Sequence, residues 1–303
     1  MSQPNLTEEP LQFGASGRLF GILTMPGGPL PRGRELPIFV FLSAGLLHRV
    51  GPARLHVLLS RELARMGFSS LRVDLAGTGD SPRRPGLTYP QSVEADFKDI
   101  LSVLESRAGN VPLVLAGLCS GAHNAVRLTP TISRVVGMVL LDPICFPDDG
   151  FRRRAVALKY AYPARYLAWM KRHFRALIAG RARKRVVEDT VDVRKPYDDP
   201  TREEVRAAWG VPDQEQLRAA FRSIRERRGR VMSVFTQNAL DYYNQAGQLK
   251  RIVNLDGYEQ FCSELFWPQA GHTFELDLHR RQLIDAIRSW AERFIPARVG
   301  AGE

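Results

Sequence analysis

Residues 112–125 read Val-Pro-Leu-Val-Leu-Ala-Gly-Leu-Cys-Ser-Gly-Ala-His-Asn. A short apolar run ends in Gly117-Leu118-Cys119-Ser120-Gly121, and a helix-like stretch follows. Few backbones accept that order. A strand that turns sharply into a helix holds its apex residue in a strained conformation. Side chains two positions to either side would collide, so glycine stands at both. The register selects Cys119 over its neighbour. With Ser120 at the apex the flanking positions would be Leu118 and Ala122, and leucine is too large for that role. A strand, tight turn and helix with a nucleophilic side chain at the apex is an arrangement for acyl chemistry. The same five residues also suit a buried cysteine in a glycine-rich turn.

A base and an oxyanion site are expected elsewhere in the chain. Phe261 to Trp267 reads as a last strand, and Pro268-Gln-Ala-Gly-His272-Thr-Phe as the loop after it. From Leu276 to Phe294 the apolar residues fall at helical spacing. A histidine in that loop, His272, is the expected general base, against the alternative of a solvated surface residue. The oxyanion needs two backbone N–H groups. One is expected from Ser120, the residue after the nucleophile. The other is expected from Leu46, in the loop Ser43-Ala-Gly45-Leu46-Leu-His48-Arg49 that follows the strand Pro37–Leu42. An ordinary strand-to-helix connection fits those loop residues as well.

The chain resembles the α/β-hydrolase superfamily across nearly its whole length. Asp74-Leu-Ala-Gly77-Thr-Gly79-Asp80-Ser81 resembles the superfamily's D-x-x-G-x-G-x-S turn after the fourth strand. Ser43 to Pro52 and Gly-Leu-Cys119-Ser-Gly-Ala resemble a bacterial branch with cysteine at the elbow, whose members often accompany exosortase and exopolysaccharide gene clusters. Dienelactone hydrolases are another part of the superfamily with a Cys-His-Asp triad. The resemblance implies a mostly parallel sheet flanked by helices, with a helical lid after the sixth strand. The core is expected at 1–146 and 229–303, and the lid at 147–228. It also implies an acid for His272. Sequences of this kind tend to carry Asp where Ala239 stands here. Asp241, two residues on, is the preferred candidate. Asp142, at the end of the run Val139-Leu-Leu-Asp142-Pro143, is the alternative, and a Cys–His dyad with no acid is the third possibility.

The pattern along the chain agrees with such a sheet. An opening hairpin is expected across Ser16-Gly17, followed by strands near 37–42 and 69–74, the run that ends at the elbow, and strands near 135–141 and 230–236. Helices are expected between them near 53–66 and 90–107. A chain of 303 residues with 44% hydrophobic residues suits one such domain plus an insertion. Its longest apolar runs are of strand length, far short of a membrane span. Met1 to Pro10 lack a basic and apolar leader, and three cysteines offer neither a metal spacing nor an even disulfide set. These features predict a cytoplasmic protein that uses no cofactor or metal.

The net charge of +11 is concentrated in one stretch. Between Phe151 and Lys195 stand fourteen Lys and Arg against three acidic residues, interleaved from Tyr160 to Ile178 with aromatic and aliphatic side chains. A solvated helix face accounts for such a pattern. A functional reading is a small-molecule or carrier-bound acyl substrate, with an acyl carrier protein, a coenzyme A tail or an anionic surface as partner. Nucleic acid is disfavoured, because no recognition motif accompanies the charge. Two classes of function stay open. One is an esterase, thioesterase or acyltransferase working through a covalent acyl-enzyme on Cys119. The other is a non-catalytic member of the fold serving a biosynthetic assembly, favoured by the missing aspartate at 239.

Overall fold

The computed structural model describes residues 6–27, 36–161, 204 and 206–295. Eight strands form one sheet in the order β1-β2-β4-β3-β5-β6-β7-β8. They are β1 (Leu6–Phe13), β2 (Leu19–Pro26), β3 (Ile38–Leu42), β4 (Ser70–Asp74), β5 (Leu113–Leu118), β6 (Val135–Leu141), β7 (Arg230–Thr236) and β8 (Cys262–Trp267). β1 and β2 are the expected hairpin, and β2 pairs antiparallel with β4. Every other neighbouring pair is parallel. This is the α/β-hydrolase architecture.

Parallel strands are covered on both faces, so their sequences are apolar throughout, and alternate residues serve different layers. In β3, Phe39 and Phe41 join the layer with Leu55, Leu59 and Leu63 of α1 (Leu55–Arg65) and Leu283, Ile287 and Trp290 of a late helix, Asp277–Ala291. Ile38, Val40 and Leu42 face the other layer. That layer also holds residues of α2 (Tyr89–Ala108), α3 (Ser120–Leu128) and a helix at Gln214–Glu226.

That last helix lies inside the stretch 147–228 expected to be lid. It buries Leu217, Ala220, Phe221 and Ile224 against α3, β6 and β7. Parallel β6 and β7 require a crossover, and this helix supplies it. With α4 (Phe151–Ala161) at the start of the insert, it is α5, followed by α6 (Gln248–Val253), α7 (Tyr258–Phe261) and α8 (Asp277–Ala291). The aromatic and basic stripe expected between 160 and 178 lies, from residue 162 onward, outside the described residues. Among the described residues no helix is long and apolar enough to cross a membrane.

Candidate active site

The carboxyl ends of β3, β5, β6, β7 and β8 converge on one corner. Cys119 sits between β5 and α3 with φ 54° and ψ −117°, a conformation that non-glycine residues rarely adopt. Its N–H donates to Leu141 O at 2.9 Å, and its carbonyl accepts from His123 N at 3.0 Å, so the turn is held from both sides. The flanking glycines are required by contact. A Cβ on Gly117 would stand 2.3 Å from the Gly121 carbonyl carbon, and one on Gly121 would stand 2.5 Å from Leu42 O. Leu118 is buried in the sheet. Ser120 is the first residue of α3, so its N–H is among those a helix start leaves without an intrahelical partner.

His272 lies in the loop between β8 and α8. Ala270 N donates to Trp267 O at 2.9 Å, and Phe274 N donates to Gly271 O at 3.1 Å. The fully buried Phe274 anchors the loop to the core. The ring Nδ1 of His272 is 2.6 Å from Asp142 Oδ2.

Asp142 ends β6 at φ 45°, and its carboxylate is closed off from solvent. Thr236, at the end of β7, donates to it twice at 2.6 Å, through its N–H to Oδ1 and through its hydroxyl to Oδ2. Three hydrogen bonds therefore hold one buried carboxylate. Burial alone would lower the pKa of His272. The hydrogen bond to Asp142, the adjacent Cys119 sulfur and the negative charge of both instead raise it to about 10.

The carboxylate beside His272 is thus Asp142, the alternative, and not Asp241, the preferred expectation. The 3-10 turn Gln237–Asp241, whose Asn238 N–H donates to the Thr236 hydroxyl, carries Asp241 outward to an exposed position. Ala239, where an acid is otherwise expected, is completely buried against the apolar core. Tyr242 packs into the same corner. Burial, then the charges of Asp142 and Cys119, push its hydroxyl well above the usual phenol range. Neither Thr236 nor Tyr242 carries a sequence signal that marks it for this site.

His123 stands one turn along α3 from Cys119. Burial and then the nearby Arg206 hold it neutral down to about pH 4, so its ring carries no charge near neutrality. The other two thiols are also unsuited to ionise, since burial raises both Cys145 and Cys262.

The loop after β3 carries Leu46, 79% exposed at its tip. Gly45 N donates to Ser120 Oγ at 2.6 Å, which draws this loop against the elbow. The far side of the loop is tied down by the D-x-x-G-x-G-x-S turn. Buried Asp74 accepts from Arg49 N at 2.5 Å and from Asp80 N at 3.1 Å, and also pairs with the Arg49 guanidinium. Arg49 Nη1 reaches Asp80 Oδ2 at 2.7 Å and His48 Nε2 at 2.8 Å. His48, Asp74 and Asp80 have the spacing of a metal site, but the cation seated among them is Arg49.

A sequence model described as "Alpha/beta hydrolase family" matches residues 39–286. No curated protein matches the chain in sequence. Solved structures with a similar fold include a thermostable carboxyl esterase from Bacillus coagulans, with TM-score 0.57 and 12% identity over 96% of this chain and 99% of that one. Est1E from Butyrivibrio proteoclasticus, solved with ferulic acid, has TM-score 0.55 and 15% identity over 91% and 95%. A fungal esterase from Rhizomucor miehei has TM-score 0.55 and 14% identity over 97% and 85%. At such identities the likeness is one of fold.

Proposed function

The chain belongs to the alpha/beta hydrolase family, and on that premise we propose that it hydrolyses or transfers an acyl group from an ester or thioester through a covalent intermediate on Cys119. The observation that carries this reading is the apex cysteine beside a histidine whose other nitrogen is fixed on a buried carboxylate.

Each residue then has one task. His272 takes the thiol proton, and its Nδ1–H donates to Asp142, which fixes ring and tautomer. The sulfur attacks the carbonyl carbon, forming the C–S bond and placing the electron pair on the carbonyl oxygen. The N–H groups of Ser120 and Leu46 receive that charge. Collapse breaks the bond to the leaving oxygen or sulfur, which takes the proton from His272 Nε2. Water, or an alcohol, amine or thiol in the transfer variant, gives its proton to His272 and attacks the thioester. The thiolate then departs. The non-catalytic alternative leaned on the missing acid at 239, and Asp142 supplies a carboxylate to His272 from another strand.

The test is brief exposure to p-nitrophenyl acetate, an acid quench and peptide mapping, with limiting iodoacetamide in parallel. The acetyl group is expected on Cys119, releasable by hydroxylamine as a thioester. Alkylation is expected at Cys119 well ahead of Cys145 and Cys262. Acetylation of Ser120, or equal alkylation of all three thiols, would overturn the assignment.

A further inference from the structure

We propose that the Ser120 side chain is a positioning residue that sets the oxyanion loop, an inference that rests on Cys119 being the nucleophile. The two halves of the loop 43–51 are held differently. The half around Arg49 is pinned by Asp74 and Asp80. The half that carries Leu46 is a turn in which Leu47 N donates to Ala44 O at 2.9 Å, with Ser43 and Ala44 buried at its base and its tip in solvent. Leu46 and Leu47 point their side chains into solvent, at 79% and 41% exposure. Gly45 has φ 53° and nothing within 4 Å of where a Cβ would stand. Side-chain packing at the tip therefore does not orient the turn against the elbow. The turn is linked to the elbow by the 2.6 Å hydrogen bond from Gly45 N to Ser120 Oγ, one residue before the expected donor.

Behind the hydroxyl lies Tyr89. Asn124, one turn further along α3, donates from Nδ2 to Tyr89 OH at 2.8 Å. Burial raises the Tyr89 hydroxyl, and the neighbouring Asn124 and then Ser120 side chains oppose that shift. Ser120 Oγ thus accepts from Gly45 N, with the Tyr89 hydroxyl beside it. Tyr89 is braced by the Trp209 ring, with centroids 5.1 Å apart. A hydroxyl whose oxygen is engaged by Gly45 N is turned to the loop and not to the substrate. Residue 120 acts twice: its N–H faces the oxyanion, and its side chain fixes the partner N–H across the site. Catalytic geometry is sensitive to such placement, since an error of 1 Å costs about 10²-fold in rate.

Two reactions of the same sulfur separate this role from a general effect on the nucleophile. Acylation by p-nitrophenyl acetate builds charge on a carbonyl oxygen. Alkylation by iodoacetamide forms a C–S bond at a saturated carbon and expels iodide, with no oxyanion. In Ser120→Ala the single-turnover acylation rate is expected to fall by about 10–10²-fold. Alkylation of Cys119 and its pH profile should stay near wild type. Ser120→Thr, which keeps the hydroxyl, should restore most of the acylation rate. Tyr89→Phe, outside the elbow, should lose less than Ser120→Ala but in the same ratio of acylation to alkylation. If acylation and alkylation fall together, or if Ser120→Ala acylates at the wild-type rate, the positioning role is wrong. If wild-type protein is never acylated on Cys119, the underlying reading has failed instead.

Discussion

Asp142 shows how three hydrogen bonds decide the properties of a histidine some distance along the chain. The raised pKa of His272, about 10 against about 6.5 for a free histidine, means that its proton is held more tightly in the folded protein. A proton bound more tightly in the native state favours folding. That contribution is complete below about pH 6.5 and disappears as pH rises through about 10. In Asp142→Asn the carboxylate charge is gone, so the His272 C2–H resonance should titrate well below its wild-type midpoint. Turnover should drop by about 10–10²-fold. That is less than the ~10⁴-fold loss of a serine triad, because a cysteine ionises with less help. Asp241→Asn should change neither the midpoint nor the rate. An unmoved His272 midpoint in Asp142→Asn, or a shifted one in Asp241→Asn, would reject this assignment.

At the scale of elements, the turn after β4 serves the loop after β3. Gly79 has φ 50°, and a Cβ there would stand 2.1 Å from Asp74 Oδ2. Ser81 closes the same turn, its hydroxyl donating to Asp74 O at 2.7 Å and accepting from Phe20 N at 3.0 Å. Only glycine lets the chain pass so close to the carboxylate that receives the Arg49 N–H. Gly79→Ala should therefore displace Asp74 and release the far side of the loop after β3. A stability loss of about 1–3 kcal/mol is expected for the strained backbone and clash. Acylation should slow more than alkylation of Cys119. A lowered melting temperature with an unchanged acylation rate would show that the turn supports the sheet alone.

For the whole molecule the charge distribution is the dominant feature. The +11 excess equals the imbalance between residues 151 and 195, most of which lie outside the described residues. Within the described part, α4 exposes Arg152 and Arg153. Arg154 instead donates to Asn244 Oδ1 at 2.9 Å and pairs with Asp148, so it holds the insert to the core. A cationic rim accelerates encounter with anionic partners, and salt screens that effect over about 10 Å at 0.1 M. Arg152→Glu with Arg153→Glu should slow acylation by acyl-coenzyme A at low salt and leave p-nitrophenyl acetate nearly unchanged. The difference should vanish at high salt. Equal salt dependence for both substrates, measured by stopped flow, would reject steering and leave these arginines as a solvated face.

What was legible from sequence is what depends on neighbours in the chain. The elbow around Cys119 follows from steric limits within five residues, and the strands from apolar runs, so β6 and β7 fall where the pattern puts them. The loop position of His272 follows from the same local order. The acid did not follow, because it depends on which strand end comes to lie beside the histidine. The parallel register of β6 with β7 brings Asp142 against Thr236. A single 3-10 turn then carries Asp241 away, although it lies closer to His272 in sequence. The role of Gln214–Glu226 was hidden for a similar reason. A charged, amphipathic helix reads alike on a lid and on a sheet, and only the crossover between β6 and β7 makes it part of the core. Local sterics reside in the sequence, whereas which side chains meet across the top of the sheet is decided by strand order and register.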